Sequence, residues 1–177
     1  RQVEVLTDVV QGVYVALQAY TQPGEGALVL TPIYPPFLSG VHETRRRLLA
    51  SPLADSPTGY VLDLDHIKRH AAQVRILLLC HPHNPTGRVW SRQELSALAE
   101  HALEHDWVVV SDEIHADLTF DQQTFVPFAS LAPEVAARSV TLTSASKAFN
   151  IAGLRCAIAH FGSAQLRERF NACALPH

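Results

Sequence analysis

The sequence has 177 residues, of which 47% are hydrophobic and 18% charged, and its formal net charge at neutral pH is −3. That is enough chain for one domain with a sizeable core, and the balance is that of a globular protein, not a disordered one. It argues against a general nucleic-acid binder: the one basic run, Thr44–Arg47, reads as a solvated face.

No apolar stretch approaches the ~20 residues of a membrane-spanning helix, and the first residues given do not read as a secretory h-region. Cys80, Cys156 and Cys173 are odd in number and lack C-x-x-C spacing. They suggest a reducing, cytoplasmic setting, with Cys80 and Cys156 as small core residues. The ten histidines form neither an H-E-x-x-H motif nor a Cys/His cluster of zinc spacing, so no metal site is expected. The chain has no methionine, begins RQVEVL and stops at NACALPH, and is expected to be part of a longer protein.

In chain order, VVQGVYVALQAY has helical character and TQPGEG supplies the turn that ends it. ALVL is a short buried strand. TPIYPPF, with three prolines, is expected to be neither regular helix nor central strand. A further extended segment is placed around Arg46–Leu53. DLDHIKRHAA reads as a helix with Asp63 or Asp65 near its start. RILLLC is a continuous apolar run, and HPHNPTG after it is a turn. The next helix opens with Ser91 and Glu94 at capping-box spacing. Its apolar residues Leu95, Leu98, Ala99, Ala102 and Leu103 fall on one helical stripe. WVVVSD, SVTLTS and CAIAH are three more strands, and SAQLRERFNACA is a final helix.

Apolar strands alternating with amphipathic helices predict an α/β fold: three layers, with a mostly parallel sheet flanked by helices. Ligands in such folds bind beyond the carboxyl ends of the strands, and Asn84, Asp112 and Lys147 each lie at or just after such an end. A lysine beside an apolar interior can lose its proton and form an imine with an aldehyde. An aspartate nearby can hold a proton on the ring nitrogen of a heteroaromatic cofactor. An asparagine or histidine suits a ring hydroxyl, and hydroxyls with an arginine suit a phosphate. Pyridoxal phosphate requires this set.

HPHNPTG, SDEIHADL and SASKAFNIAGLR resemble the signatures of fold-type I pyridoxal-phosphate enzymes, the aspartate aminotransferase superfamily. TPIYPPF, the histidine of DEIH, and NIAGLRCAIA resemble its branch of carbon–sulfur lyases, which includes bacterial cystathionine β-lyases of the MalY/PatB type. The resemblance covers almost the whole chain and implies that residues 1–177 are a partial cofactor-binding large domain, lacking an N-terminal segment and a C-terminal small domain. It implies that Lys147 holds the cofactor and shuttles the Cα proton, while Asp112 pairs with the pyridine nitrogen. Asn84 and His115 would contact the phenolic oxygen, and Tyr34 would stack on the ring. Ser144, Arg155 and the backbone amides near Val9 and Val10 would bind the phosphate. Relatives usually carry a glycine near Asp8, and this sequence does not.

The implied activity is a β-lyase that releases thiol, pyruvate and ammonia from an amino-acid thioether, as a homodimer. The alternatives are an aminotransferase on the same scaffold, and an inactive fragment or binding module that retains it.

Overall fold

The computed structural model describes residues 2–57, 59–120 and 123–173. Its strands are β1 (Val3–Leu6), β2 (Gly26–Thr31), β3 (Arg47–Pro52), β4 (Val74–Cys80), β5 (Val108–Asp112), β6 (Ser139–Thr143) and β7 (Ala157–Phe161). The helices are α1 (Val9–Tyr20), α2 (Pro35–Glu43), α3 (Leu64–His70), α4 (Arg92–Glu104), α5 (Pro133–Ala136) and α6 (Ala164–Cys173). The strands make one seven-stranded sheet in the order β1-β7-β6-β5-β4-β2-β3. Strands β3, β2, β4, β5 and β6 run parallel, whereas β7 is antiparallel to both β6 and β1.

Both faces of this sheet are covered, which is why β2 and β4 are apolar almost throughout. One core packs Val13, Leu17, Phe37, Phe161 and Phe170 against one face, and the other packs Ile67, Trp90, Leu95, Leu98, Trp107 and Phe128 against the opposite face. The two tryptophans are fully buried, and each satisfies its indole N–H on a carbonyl, Trp90 on Cys80 and Trp107 on Ala71. The helix starts follow their sequence signals. Asp8 caps α1, Asp63 caps α3, and Ser91 with Glu94 closes the capping box of α4. No helix of the described residues is long and apolar enough to cross a membrane.

Two expectations change, and one strand is new. Pro35 and Pro36 open α2, because the first helical positions lose no hydrogen bond when an N–H is missing. Cys156 is exposed and not a core residue, since it precedes β7 and stands outside the sheet; Cys80 is buried. The edge strand β1, not among the expected elements, pairs with β7, and Glu4 within it bonds Arg167 and Asn171 of α6.

Gly162 follows β7 at a close backbone approach: a Cβ there would stand 1.5 Å from the Ala136 carbonyl oxygen. Since that obstacle is backbone, Gly162→Ala is expected to lower unfolding stability by about 2–3 kcal/mol, read by urea denaturation.

Candidate active site

The parallel strands bring their carboxyl ends to one edge of the sheet, where a cavity of about 280 Å³ opens. Tyr34 reaches it from beyond β2, Asn84 from beyond β4, Asp112 from the end of β5, His115 from beyond β5, and Ser146 and Lys147 from beyond β6. The start of α1 supplies Asp8, Val9 and Val10, and Arg155 closes the rim ahead of β7. Eight of the nine residues singled out in the sequence therefore line one space: Val9, Val10, Tyr34, Asn84, Asp112, His115, Lys147 and Arg155. A larger cleft of about 600 Å³ lies at the opposite edge, among Glu25, Arg75 and Arg138, and contains none of them.

Asp112 is the last residue of β5 and is 6% exposed. Its Oδ1 accepts the Ile114 N–H at 3.1 Å, and no other protein donor among the described residues bonds the carboxylate. Burial pushes its pKa up to about 7; Glu113 adds to the rise, while the Ile114 bond and the charge of Lys147 oppose it. Its neighbour Glu113 is equally buried but differently used. One of its oxygens accepts from both the Ser111 hydroxyl and the Phe128 N–H, so it anchors a chain turn.

Lys147 is exposed to the cavity, not sunk in the apolar interior, and its amine has no hydrogen bond or ion pair among the described residues. Its charge is felt by His115, whose pKa is lowered first by burial and then by Lys147, against a hydrogen bond to the Pro82 carbonyl. Asn84 is held by its backbone N–H on the Cys80 sulfur at 3.4 Å, which leaves its side-chain amide facing the cavity. Tyr34 caps α2 without a side-chain bond and is 42% exposed. Val9 and Val10 begin α1, where the first N–H groups have no intrahelical acceptor.

Ser144 stands apart. Its hydroxyl donates to the Cys156 carbonyl at 2.6 Å and accepts the Ser146 N–H, and it lines a smaller recess of about 50 Å³ behind the cavity. Ser146 lines both spaces. Arg155, which the resemblance assigns to the phosphate, is exposed, with a left-handed backbone of φ 46°. Its Nη2 pairs with Asp8 Oδ2 at 2.8 Å, while Asp8 Oδ1 accepts the Gln11 N–H. The two partners are far apart in sequence, so only the fold reveals the pair. His81, which has no assigned role, is fully buried, stacks on Phe125 and is held neutral by burial, with a pKa of about 4.

The family model for aminotransferases of class I and II matches residues 1–176, and the chain belongs to that family. The cystathionine beta-lyase PatB of Bacillus subtilis is 40% identical over 166 residues, which are 93% of this chain and 43% of PatB. The crystal structure of cystalysin from Treponema denticola, which contains pyridoxal 5'-phosphate, superposes with a TM-score of 0.94 at 32% identity, over 97% of this chain and 44% of its own. The N-succinyldiaminopimelate aminotransferase of Mycobacterium tuberculosis superposes with a TM-score of 0.92 at 32% identity, over 97% of this chain and 44% of its own. The chain spans less than half the length of these relatives.

Asp112 makes a pH-dependent contribution to stability. Unfolded, it titrates near 3.8; folded, near 7, so between those values the folded protein holds the extra proton. Stability from this group is full below about pH 4, falls as pH rises towards 7, and stays low above it. Asp112→Asn keeps an acceptor for Ile114 and cannot ionise. In cofactor-free protein it is expected to exceed the parent near pH 8 by on the order of 2–4 kcal/mol, with the gap closing near pH 4 in urea titrations.

Proposed function

We propose that residues 1–177 form the cofactor-binding domain of a pyridoxal-phosphate-dependent carbon–sulfur β-lyase. Its substrate would be an amino-acid thioether of the cystathionine type, and the working assembly a homodimer. One observation carries this reading: a buried carboxyl with a single hydrogen bond and an unpaired lysine amine share one cavity. The donor set fits the cofactor. Asp112 lacks a second partner and suits a ring N–H⁺, the free amide of Asn84 suits a phenolic oxygen, and the open N–H groups of Val9 and Val10 suit a phosphate.

When bound, the cofactor supplies an electron sink for the negative charge that develops at the substrate Cα. Lys147 would hold its aldehyde carbon through Nζ and, once released, take the proton from Cα. Asp112, as a carboxylate, would keep the ring nitrogen protonated; a cation there also offsets the cost of burying that carboxylate. Asn84 and His115 would orient the phenolic oxygen, and Tyr34 would cover one ring face. Ser146, beside Lys147 and reaching both the cavity and the recess behind it, would join Val9 and Val10 at the phosphate, and Ser144 would buttress Ser146 through its N–H. Proton transfer by a positioned amine contributes about 10²–10⁴-fold.

The likeness to PatB favours elimination over amino transfer, which would use the same residues. Borohydride reduction of the cofactor-loaded protein, followed by peptide mass mapping, is expected to find the cofactor's mass on Lys147. Incubation with cystathionine and no keto acid is expected to release thiol and pyruvate. Label on another lysine, or keto-acid-dependent amino transfer without thiol release, would overturn the reading.

The Asp8–Arg155 pair bears on the phosphate. Asp8 neutralises the one arginine at the rim and sets a negative charge at the start of α1. Asp8→Asn keeps the cap and frees Arg155, and is expected to tighten pyridoxal phosphate binding about 10-fold in equilibrium titration, without a comparable gain for unphosphorylated pyridoxal.

A further inference from the structure

The C-terminal turn of α4 carries His101, Glu104 and His105, spaced i, i+3 and i+4, on a helix that packs against the face of the sheet opposite α1. That spacing puts all three side chains on one helical face. Their donor atoms converge. Glu104 Oε2 lies 3.9 Å from His101 Nδ1 and 3.8 Å from His105 Nε2, and one donor atom from each of the three lies within 4.8 Å of the others.

Two features separate this cluster from histidines that merely cover an aromatic ring. Both imidazoles do pack beside the buried Trp107, with centroids 6.3 Å from its ring. Such a lid does not require a nitrogen from each ring to face the same carboxylate oxygen. In addition, His101 Nδ1 is buried and has no hydrogen-bond partner among the described residues, an uncompensated polar atom that an electron-pair acceptor would satisfy. The neighbouring Asp106 does not compete, because it pairs with Arg138.

We propose that His101, Glu104 and His105 form a binding site for a borderline divalent transition-metal ion, Zn²⁺ being the natural occupant, with water completing the coordination. Two imidazoles and a carboxylate suit such an ion and not Mg²⁺ or Ca²⁺, which take oxygen ligands. Donors at zinc distances of about 2.1 Å stand roughly 3.4 Å apart in a tetrahedron, so small side-chain rotations close the site. The helix adds its own field, because the carbonyl end of α4 points towards the cation. The bound ion would tie the last turn of α4 together over Trp107.

The test is isothermal titration of the EDTA-treated protein with Zn²⁺, supported by electron paramagnetic resonance of its Cu²⁺ complex. One ion per chain with micromolar or tighter affinity is expected, with nitrogen couplings from two imidazoles in the Cu²⁺ spectrum. His105→Ala and Glu104→Gln should each weaken Zn²⁺ binding by about 10-fold or more. His70→Ala is the control. His66 and His70 are also four apart, but their Nδ1 atoms are engaged by the Ser51 hydroxyl and the His66 carbonyl. The spectrum of the unaltered protein keeps the test decisive if a variant fails to fold. No stoichiometric uptake, a spectrum without two nitrogens, or binding lost in His70→Ala and retained in His105→Ala would overturn the proposal.

Discussion

A carboxyl group buried at the end of the sheet's central strand, held by one backbone amide, is the constraint on which the site depends. Desolvation of Asp112 is the largest influence on its ionisation, and the single bond from Ile114 does not cancel it. Glu113, the next residue, shows what a structural acid looks like in the same surroundings: two donors converge on one oxygen, and its job is to hold Phe128. A fold selected for stability alone has no need to leave Asp112 short of partners. The deficit is useful when a cationic ring is to be held there.

The rest of the architecture delivers the other groups to that acid. Parallel pairing sets Cys80 beside Asp112, so the turn carrying Asn84 rises next to the carboxyl. The β5–β6 pairing sets Leu142 beside Asp112 and brings the Lys147 loop to the same edge. Two compact cores, one on each face, fix these strand ends, while the groups themselves sit in loops that can vary without disturbing the packing. The rim is electrically balanced before any ligand enters: Arg155 is matched by Asp8, and Lys147 acts on Asp112 and His115 without pairing.

The parallel core was legible because strands buried on both faces are apolar along their length, and the start of α4 was legible because Ser91 and Glu94 mark it. What the sequence hid depends on contacts that have no local pattern. VEVL is too short to announce an edge strand, and its partner β7 lies at the far end of the chain. The prolines of TPIYPPF obscured α2, although they occupy the positions a helix tolerates. Lys147, Asp112 and Asn84 could be grouped from strand-end logic alone. Arg155 could not be understood from its apolar neighbours, because its partner is set by the start of α1, 147 residues away in sequence.

The edge strand β1 couples the margin of the sheet to the cavity. Its four residues cover the outer hydrogen-bonding row of β7, and the segment runs directly into the turn that presents Asp8, Val9 and Val10. Displacing β1 from β7 would do two things at once: bare a β7 edge able to recruit strands from other molecules, and loosen the turn that presents Asp8, Val9 and Val10. One short pairing therefore guards the sheet against unwanted strand addition and steadies the mouth of the cavity together.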